Sequence, residues 1–173
     1  MAVKDVLEID HPAVRAVLLD QKERGGLEIH HDGDLPARSG LGSSSAFTVG
    51  LLNALKALHG KMTSKDELAR EAIRIEQEVI REPVGSQDQI WAAYGGLNRM
   101  DFRTDGTFEV TPLILSRARR EELEGSLMLF FTGLSRFSSS MASRQIANMD
   151  AKERNLRRMR EMVDEAQAII TSP

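Results

Sequence analysis

Apolar residues recur at helical spacing through most of this 173-residue chain and alternate in only a few short stretches. Residues 1–10 alternate weakly, as a strand or an extended lead-in. A helix opens at His11-Pro12, because Val14, Val17 and Leu18 follow at helical intervals and proline suits a first turn; Gly25-Gly26 stops it. Leu27-Glu28-Ile29-His30 alternates and reads as a strand. Ala46 to His59 is apolar nearly all round, which predicts a buried helix ended by Gly60. Ser64 and Glu67 form a capping box, so the next helix starts there and runs to about Arg81, where Pro83 closes it. Gly85-Ser86 opens a shorter helix over 87–94, ended by Gly95-Gly96. Leu97 to Phe102 and Thr107 to Leu113 flank Thr104-Asp105-Gly106, the signature of a β-hairpin. Arg117 to Leu123 predicts a short charged helix and Leu127 to Phe131 a buried strand. Helices over about 138–149 and 151–170 close the chain; in the last, Leu156, Met159, Val163, Ala166 and Ile170 form one stripe.

Composition narrows the class. Hydrophobic residues make up 41% and charged residues 28%, an ordinary soluble balance. The net charge of −3 argues against a nucleic-acid platform. With no cysteine, disulfides and thiolate metal sites are excluded, which fits a reducing, cytoplasmic setting. No signal peptide and no membrane-spanning run is read, since the longest strongly apolar stretch is Leu127 to Phe131.

Three places carry candidate chemistry. The first is Pro36-Ala37-Arg38-Ser39-Gly40-Leu41-Gly42-Ser43-Ser44-Ser45, running into the apolar helix. Gly40 and Gly42 let backbone amides approach a ligand, the helix start favours an anion, and the serines add hydroxyls. A capped helix after a flexible glycine–serine loop fits the same spacing, and the Walker A pattern is absent. The second is Glu76. Leu68, Ala72, Ile75 and Val79 form one apolar row, and Ala69, Ile73, Glu76 and Ile80 the adjoining one, while Glu71, Arg74, Glu78 and Glu82 lie on the polar side. Glu76, unlike Glu78, therefore points inward and needs a cation or hydrogen-bond donors; a structural Arg or Lys would serve as well as a metal. The third is Asp88, in a first helical turn, where a carboxylate either complements the helix dipole or accepts a proton from a hydroxyl. His30, His31, Trp91 and Tyr94 read as surface or packing residues, and Arg136 as either a phosphate ligand or a surface arginine.

Taken together, Pro36-x-x-x-Gly40-Leu41-Gly42-Ser43-Ser44-Ser45-Ala46, Glu76 and Asp88 resemble the GHMP kinases (galactokinase, homoserine, mevalonate and phosphomevalonate kinases). Within that family, Val84-Gly85-Ser86-Gln87-Asp88-Gln89, Ala92-Ala93-Tyr94-Gly95-Gly96-Leu97-Asn98 and Phe131-Thr132-Gly133-Leu134-Ser135-Arg136 are similar to bacterial heptose-phosphate kinases. Fucose kinases, with a related Gln-Asp-Gln segment, are the nearest competitor. The resemblance implies an α/β (α+β two-layer) fold of the ribosomal protein S5 domain 2 type, one mixed sheet backed by helices over 1–125, with a ferredoxin-like second domain beginning at 126–173. It implies ATP and Mg²⁺ as cofactors, with Pro36, Arg38, Ser39, Gly40, Leu41, Gly42, Ser43, Ser44 and Ser45 around the nucleotide phosphates and Ser44 and Glu76 on the metal. Asp88 would be catalytic, and Gln87, Asp88, Gly133 and Arg136 would meet the sugar. The implied reaction is phosphorylation of D-glycero-D-manno-heptose 7-phosphate at its anomeric hydroxyl, for surface polysaccharide precursors. The first and third family motifs have no counterpart, so the resemblance covers the central part of such a kinase. A fragment that at most binds nucleotide is the rival expectation, and self-association through uncovered edges is another.

Overall fold

A computed structural model describes residues 2–34, 40–130, 149 and 152–172. The fold is α+β, with helices and one small antiparallel sheet in two compact units that divide between Tyr94 and Gly95.

The first unit is helical. Its lead-in is a short 3₁₀ turn, Val6–Glu8, instead of a strand, because the Asp5 side chain accepts from the Leu7 amide and closes the turn locally. Helix α1 (Pro12–Asp20) starts at proline as expected. Leu27 to His30 belongs to no ladder: no second strand pairs with it among the described residues, and alternation alone leaves the backbone groups unpaired.

Helix α2 (Ser43–Leu58) begins at the first serine, three residues before the apolar run. Gly60 closes it in a left-handed conformation, with Lys61 N–H bonded to Lys56 O and Gly60 N–H to Ala57 O, a Schellman ending. Only one side of α2 is buried, through Ser45, Thr48, Val49, Leu51, Leu52 and Leu55. The opposite side, with Ala46, Gly50, Ala54 and Ala57, is exposed, so the expectation of an all-round buried helix is corrected. Those residues are mostly too small to cost much in water, which is why an apolar count overstated burial.

Ser64 and Glu67 complete the capping box and start α3 (Lys65–Arg74). The helix then widens into a π turn, Ile75–Val79. The extra residue shifts the phase, so Val79 turns out to solvent and Ile80 packs on the core. Arg81 takes a left-handed conformation (φ 63°) and ends the element before Pro83. Helix α4 (Gln87–Tyr94) follows, its last carbonyl accepting from Lys65 Nζ at 2.6 Å. The core joins α1, α2 and α3 through Val17, Leu18, Val49, Leu52, Leu55, Leu68 and Ile75.

The second unit contains β1 (Asn98–Phe102) and β2 (Phe108–Pro112), paired antiparallel from Asn98 opposite Pro112 to Phe102 opposite Phe108. The turn is a three-residue loop: Gly106 N–H bonds Arg103 O, Gly106 is left-handed, and Arg103 N–H bonds Thr107 O. This hairpin is the sheet among the described residues. Helix α5 (Arg117–Gly125) is solvated as expected and starts at a Ser116 cap. Leu127 to Phe130 is exposed and unpaired, not a buried strand, because no neighbouring strand covers it among the described residues. Phe131 and the helix expected over 138–149 lie outside the described residues, except Met149. Helix α6 (Glu153–Thr171) closes the chain; Leu156 and Ile170 of its stripe are half-buried, while Met159, Val163 and Ala166 are exposed.

Leu52 is fully buried and Leu58 on the same helix is 62% exposed. Leu52→Ala is expected to destabilise by about 3 kcal/mol, and Leu58→Ala by no more than about 0.5 kcal/mol, in urea denaturation of each variant.

Candidate functional site

The site assembles where the start of α2, the π turn and the start of α4 meet. Gly42 is the residue before α2; it is left-handed (φ 71°), and no side chain caps the helix. The first-turn amides of α2 therefore lack both intrahelical acceptors and side-chain acceptors among the described residues, and the helix dipole adds a partial positive charge there. A group with negative oxygens fits this end. Ser43 is half-buried and Ser44 exposed, with Ser44 O accepting from Thr48 Oγ1 at 3.2 Å. Gly40 is left-handed and unobstructed, and Leu41 is exposed. Pro36, Arg38 and Ser39, expected in the same loop, lie outside the described residues.

Glu76 points inward, as its place in the helical rows predicts, and is only 2% exposed. No arginine or lysine pairs with it among the described residues; its neighbours are neutral donors. Ser45 Oγ–H donates to Glu76 Oε2 at 3.0 Å, and Gln89 Nε2–H donates to the same oxygen. Among the described residues Glu76 Oε1 has no hydrogen-bond partner, and neither has Gln89 Oε1. Burial is the largest influence on the carboxyl and pushes its pKa above the ordinary 4.5; Thr48, Gln89 and Ser45 pull it back in part, and the Glu82 charge pushes it further up. A buried carboxylate oxygen without a donor is a hard ligand of the kind small divalent cations take, so the residues present fit such an ion.

Asp88 sits in the first turn of α4, exposed, against the backbone of Gly42: a Cβ added there would lie 3.3 Å from Asp88 Cγ. The glycine thus does two things, allowing a left-handed turn and letting a carboxylate approach the uncapped helix start. Gln87 is exposed beside Asp88. Gln77 holds the approach to α4, donating from Nε2 to Val84 O at 3.0 Å and Ser86 Oγ at 3.1 Å. The structure thus brings Gly42, Ser45, Glu76 and Asp88 together and leaves Ser44 facing solvent. Gly133 and Arg136 lie outside the described residues. His30 pairs with Glu28, and His31 meets the Phe47 ring edge-on at 4.8 Å; neither belongs to a metal-ligating group among the described residues. Trp91 is 54% exposed, more than a packing role predicts.

Two participants escape a reading of the residues alone. Gln89 is fully buried against Glu76; its only signal is a polar residue beside Ile90 in a short helix. Ser45, not Ser44, is the serine that reaches Glu76, which a helix starting at Ser43 rather than Ala46 would have indicated.

An α+β scaffold that presents an uncapped helix start next to a buried glutamate and an exposed aspartate defines a class, and the comparison with known families names it. Residues 9–96 match the GHMP kinases N terminal domain, and the chain belongs to the GHMP kinase family. It is similar to a D-glycero-alpha-D-manno-heptose 7-phosphate kinase of Campylobacter jejuni, 35% identical over 108 residues, which cover 62% of this chain and 32% of that protein. It is also similar to a galactokinase of Pyrococcus furiosus, 30% identical over 123 residues, covering 70% of this chain and 33% of that protein. A crystal structure of a D-glycero-D-manno-heptose 1-phosphate kinase from Bacteriodes thetaiotaomicron superposes with a TM-score of 0.64 at 29% identity, over 87% of this chain and 52% of that one. The chain spans about a third of the length of these two relatives. No helix among the described residues is long and apolar enough to cross a membrane.

Because the folded-state pKa of Glu76 is raised, the native chain keeps a proton that the unfolded chain has already released, and stability falls as pH rises from about 4.5 through the folded-state value. Glu76→Gln removes that loss. In metal-free buffer its melting temperature is expected to exceed that of the unaltered chain at pH 8, with the advantage shrinking towards pH 5; equal melting at both pH values would contradict the burial of an ionised group. Gly40→Ala should cost about 1 kcal/mol for the left-handed backbone alone. Gly42→Ala should cost more, since its Cβ also displaces Asp88, and chemical denaturation of the pair measures the difference.

Proposed function

We propose that this chain is the nucleotide-binding portion of an ATP-dependent phosphotransferase that phosphorylates a sugar hydroxyl, with the anomeric hydroxyl of D-glycero-D-manno-heptose 7-phosphate as the favoured acceptor. The observation that carries the reading is the grouping of a buried carboxylate, Glu76, which no arginine or lysine pairs among the described residues, with the uncapped start of α2 and with Asp88 against Gly42. The heptose-phosphate kinases among the relatives support the choice of sugar. The matching galactokinase supports the broader class of sugar acceptors.

In this reading the α2 amides and the loop Pro36, Arg38, Ser39, Gly40, Leu41, Gly42 and Ser43 to Ser45 cradle the nucleotide phosphates. Glu76, with Ser44 from the exposed helix start, would hold Mg²⁺, which when bound neutralises phosphate charge. Asp88 accepts the proton of the attacking hydroxyl and orients it, and Gln87, Gly133 and Arg136 contact the sugar phosphate. Positioning and charge neutralisation supply most of the rate, because the transferred group passes through a loose transition state. Residues 1–125 form the nucleotide-binding part and 126–173 begin the second domain. The setting is cytoplasmic, and no nucleic acid or membrane takes part.

Binding and turnover are tested separately. ATP with Mg²⁺ is expected to raise the melting temperature of the chain, with stabilisation of about 2.7 kcal/mol at a ligand concentration a hundredfold above Kd. An unchanged melting temperature would contradict the nucleotide reading. Where turnover of heptose 7-phosphate is followed, Asp88→Asn should lower it at least about a hundredfold while ATP still binds. A variant that turns over normally would remove Asp88 from the role of base.

A further inference from the structure

Two side chains hydrogen-bond Glu76 and both end on one oxygen: Ser45 Oγ–H, from the first turn of α2, and Gln89 Nε2–H, from α4, meet at Oε2. Thr48 also lowers the Glu76 pKa, but its Oγ1–H donates to Ser44 O. Oε1 is buried and has no hydrogen-bond partner among the described residues. A freely placed carboxylate shares its donors between its oxygens, so this arrangement distinguishes them: one is saturated and the other is left to act. Gln89 is fully buried and spends its amide N–H on the carboxylate, while its own Oε1 has no partner. Leaving a buried amide oxygen unpaired costs stability, so an apolar residue of the same length would pack there at lower cost. Packing therefore does not account for a glutamine at this position; its bond to Glu76 does. Gln89 also follows Asp88 on α4, so the same side chain ties the helix that carries Asp88 to the π turn that carries Glu76.

We infer that Gln89 is a positioning residue: together with Ser45 it saturates Oε2 of Glu76 and presents Oε1 alone, so that the carboxylate holds a divalent cation through one oxygen. The inference rests on the proposed reading of Glu76 as a cation ligand. It adds a side chain that touches neither nucleotide nor cation and sets how tightly the cation is held.

The test measures binding of a fluorescent ATP analogue to the 173-residue chain, once with Mg²⁺ and once with EDTA. The chain is expected to prefer the Mg²⁺ complex, and Glu76→Gln to lose that preference. Gln89→Met, apolar and of similar length, should weaken binding of the Mg²⁺ complex on the order of tenfold, as removal of a partner that orients a metal ligand does. Its affinity in EDTA should stay unchanged. A merely structural role would move melting temperature and leave the Mg²⁺ preference intact. If the unaltered chain binds the analogue equally well with and without Mg²⁺, the cation reading of Glu76 fails and the inference falls with it. If the unaltered chain shows the preference and Gln89→Met keeps it, the inference alone is overturned. Should Gln89→Met not fold, the infrared difference spectrum of the unaltered chain on adding Mg²⁺ decides. A carboxylate band absent from Glu76→Gln, with its two stretches spread wider than in the free ion, marks one-oxygen ligation. Stretches drawn closer together mark two-oxygen ligation and overturn the inference.

Discussion

A carboxylate cannot be moved out of water without something to answer its charge, and among the described residues Glu76 is answered by neutral donors alone. Ser45 comes from the start of α2 and Gln89 from the start of α4, while Thr48 lies one helical turn from Ser44 along α2. Three segments distant in sequence therefore have to meet at one side chain. The remainder of the first unit can be understood as the means of bringing them there: α1, α2 and α3 share one apolar core, whose Leu52 and Ile75 are, with Ile90, the largest fully buried apolar side chains.

Local features serve the same end. The capping box at Ser64 fixes where α3 begins and therefore which residues face inward two turns later. The π turn takes up one extra residue after Ile75, which lets Gln77 reach Val84 and Ser86 and hold the approach to α4. Lys65 then binds the last carbonyl of α4, so both ends of that short helix are tied to α3 and its π turn. Gly42 completes the arrangement, because only a residue without a side chain both turns left-handed and leaves room for Asp88. In a cation-free state this placement costs stability, which is the usual balance between a working site and a well-packed one.

Helical periodicity made much of this legible. It set Glu76 inward and Glu78 outward, located the capping box, and bounded α4 at 87–94; the Asp105-Gly106 pair located the hairpin. Each of these depends on residues within a few positions of one another. What escaped depends on distant partners or on helix phase. Gln89 is buried because α4 packs on α2 and α3. Ser44 and Ser45 differ by about 100° around the helix, so three residues of uncertainty in its start exchange them. Val79 faces water because a π turn, which leaves no mark in the apolar pattern, rotates it outward. Residues 27–30 and 127–130 have the alternation or apolarity of strands, but a strand exists only with a neighbour, and none pairs with them among the described residues.

The carbon-13 chemical shift of the Glu76 carboxyl, followed against pH in metal-free buffer, tests the central claim directly. Burial outweighs the pull of the neutral donors, so the carboxyl is expected to titrate above the ordinary 4.5. A midpoint at or below 4.5 would show that burial does not dominate at this carboxyl, and would contradict the site described.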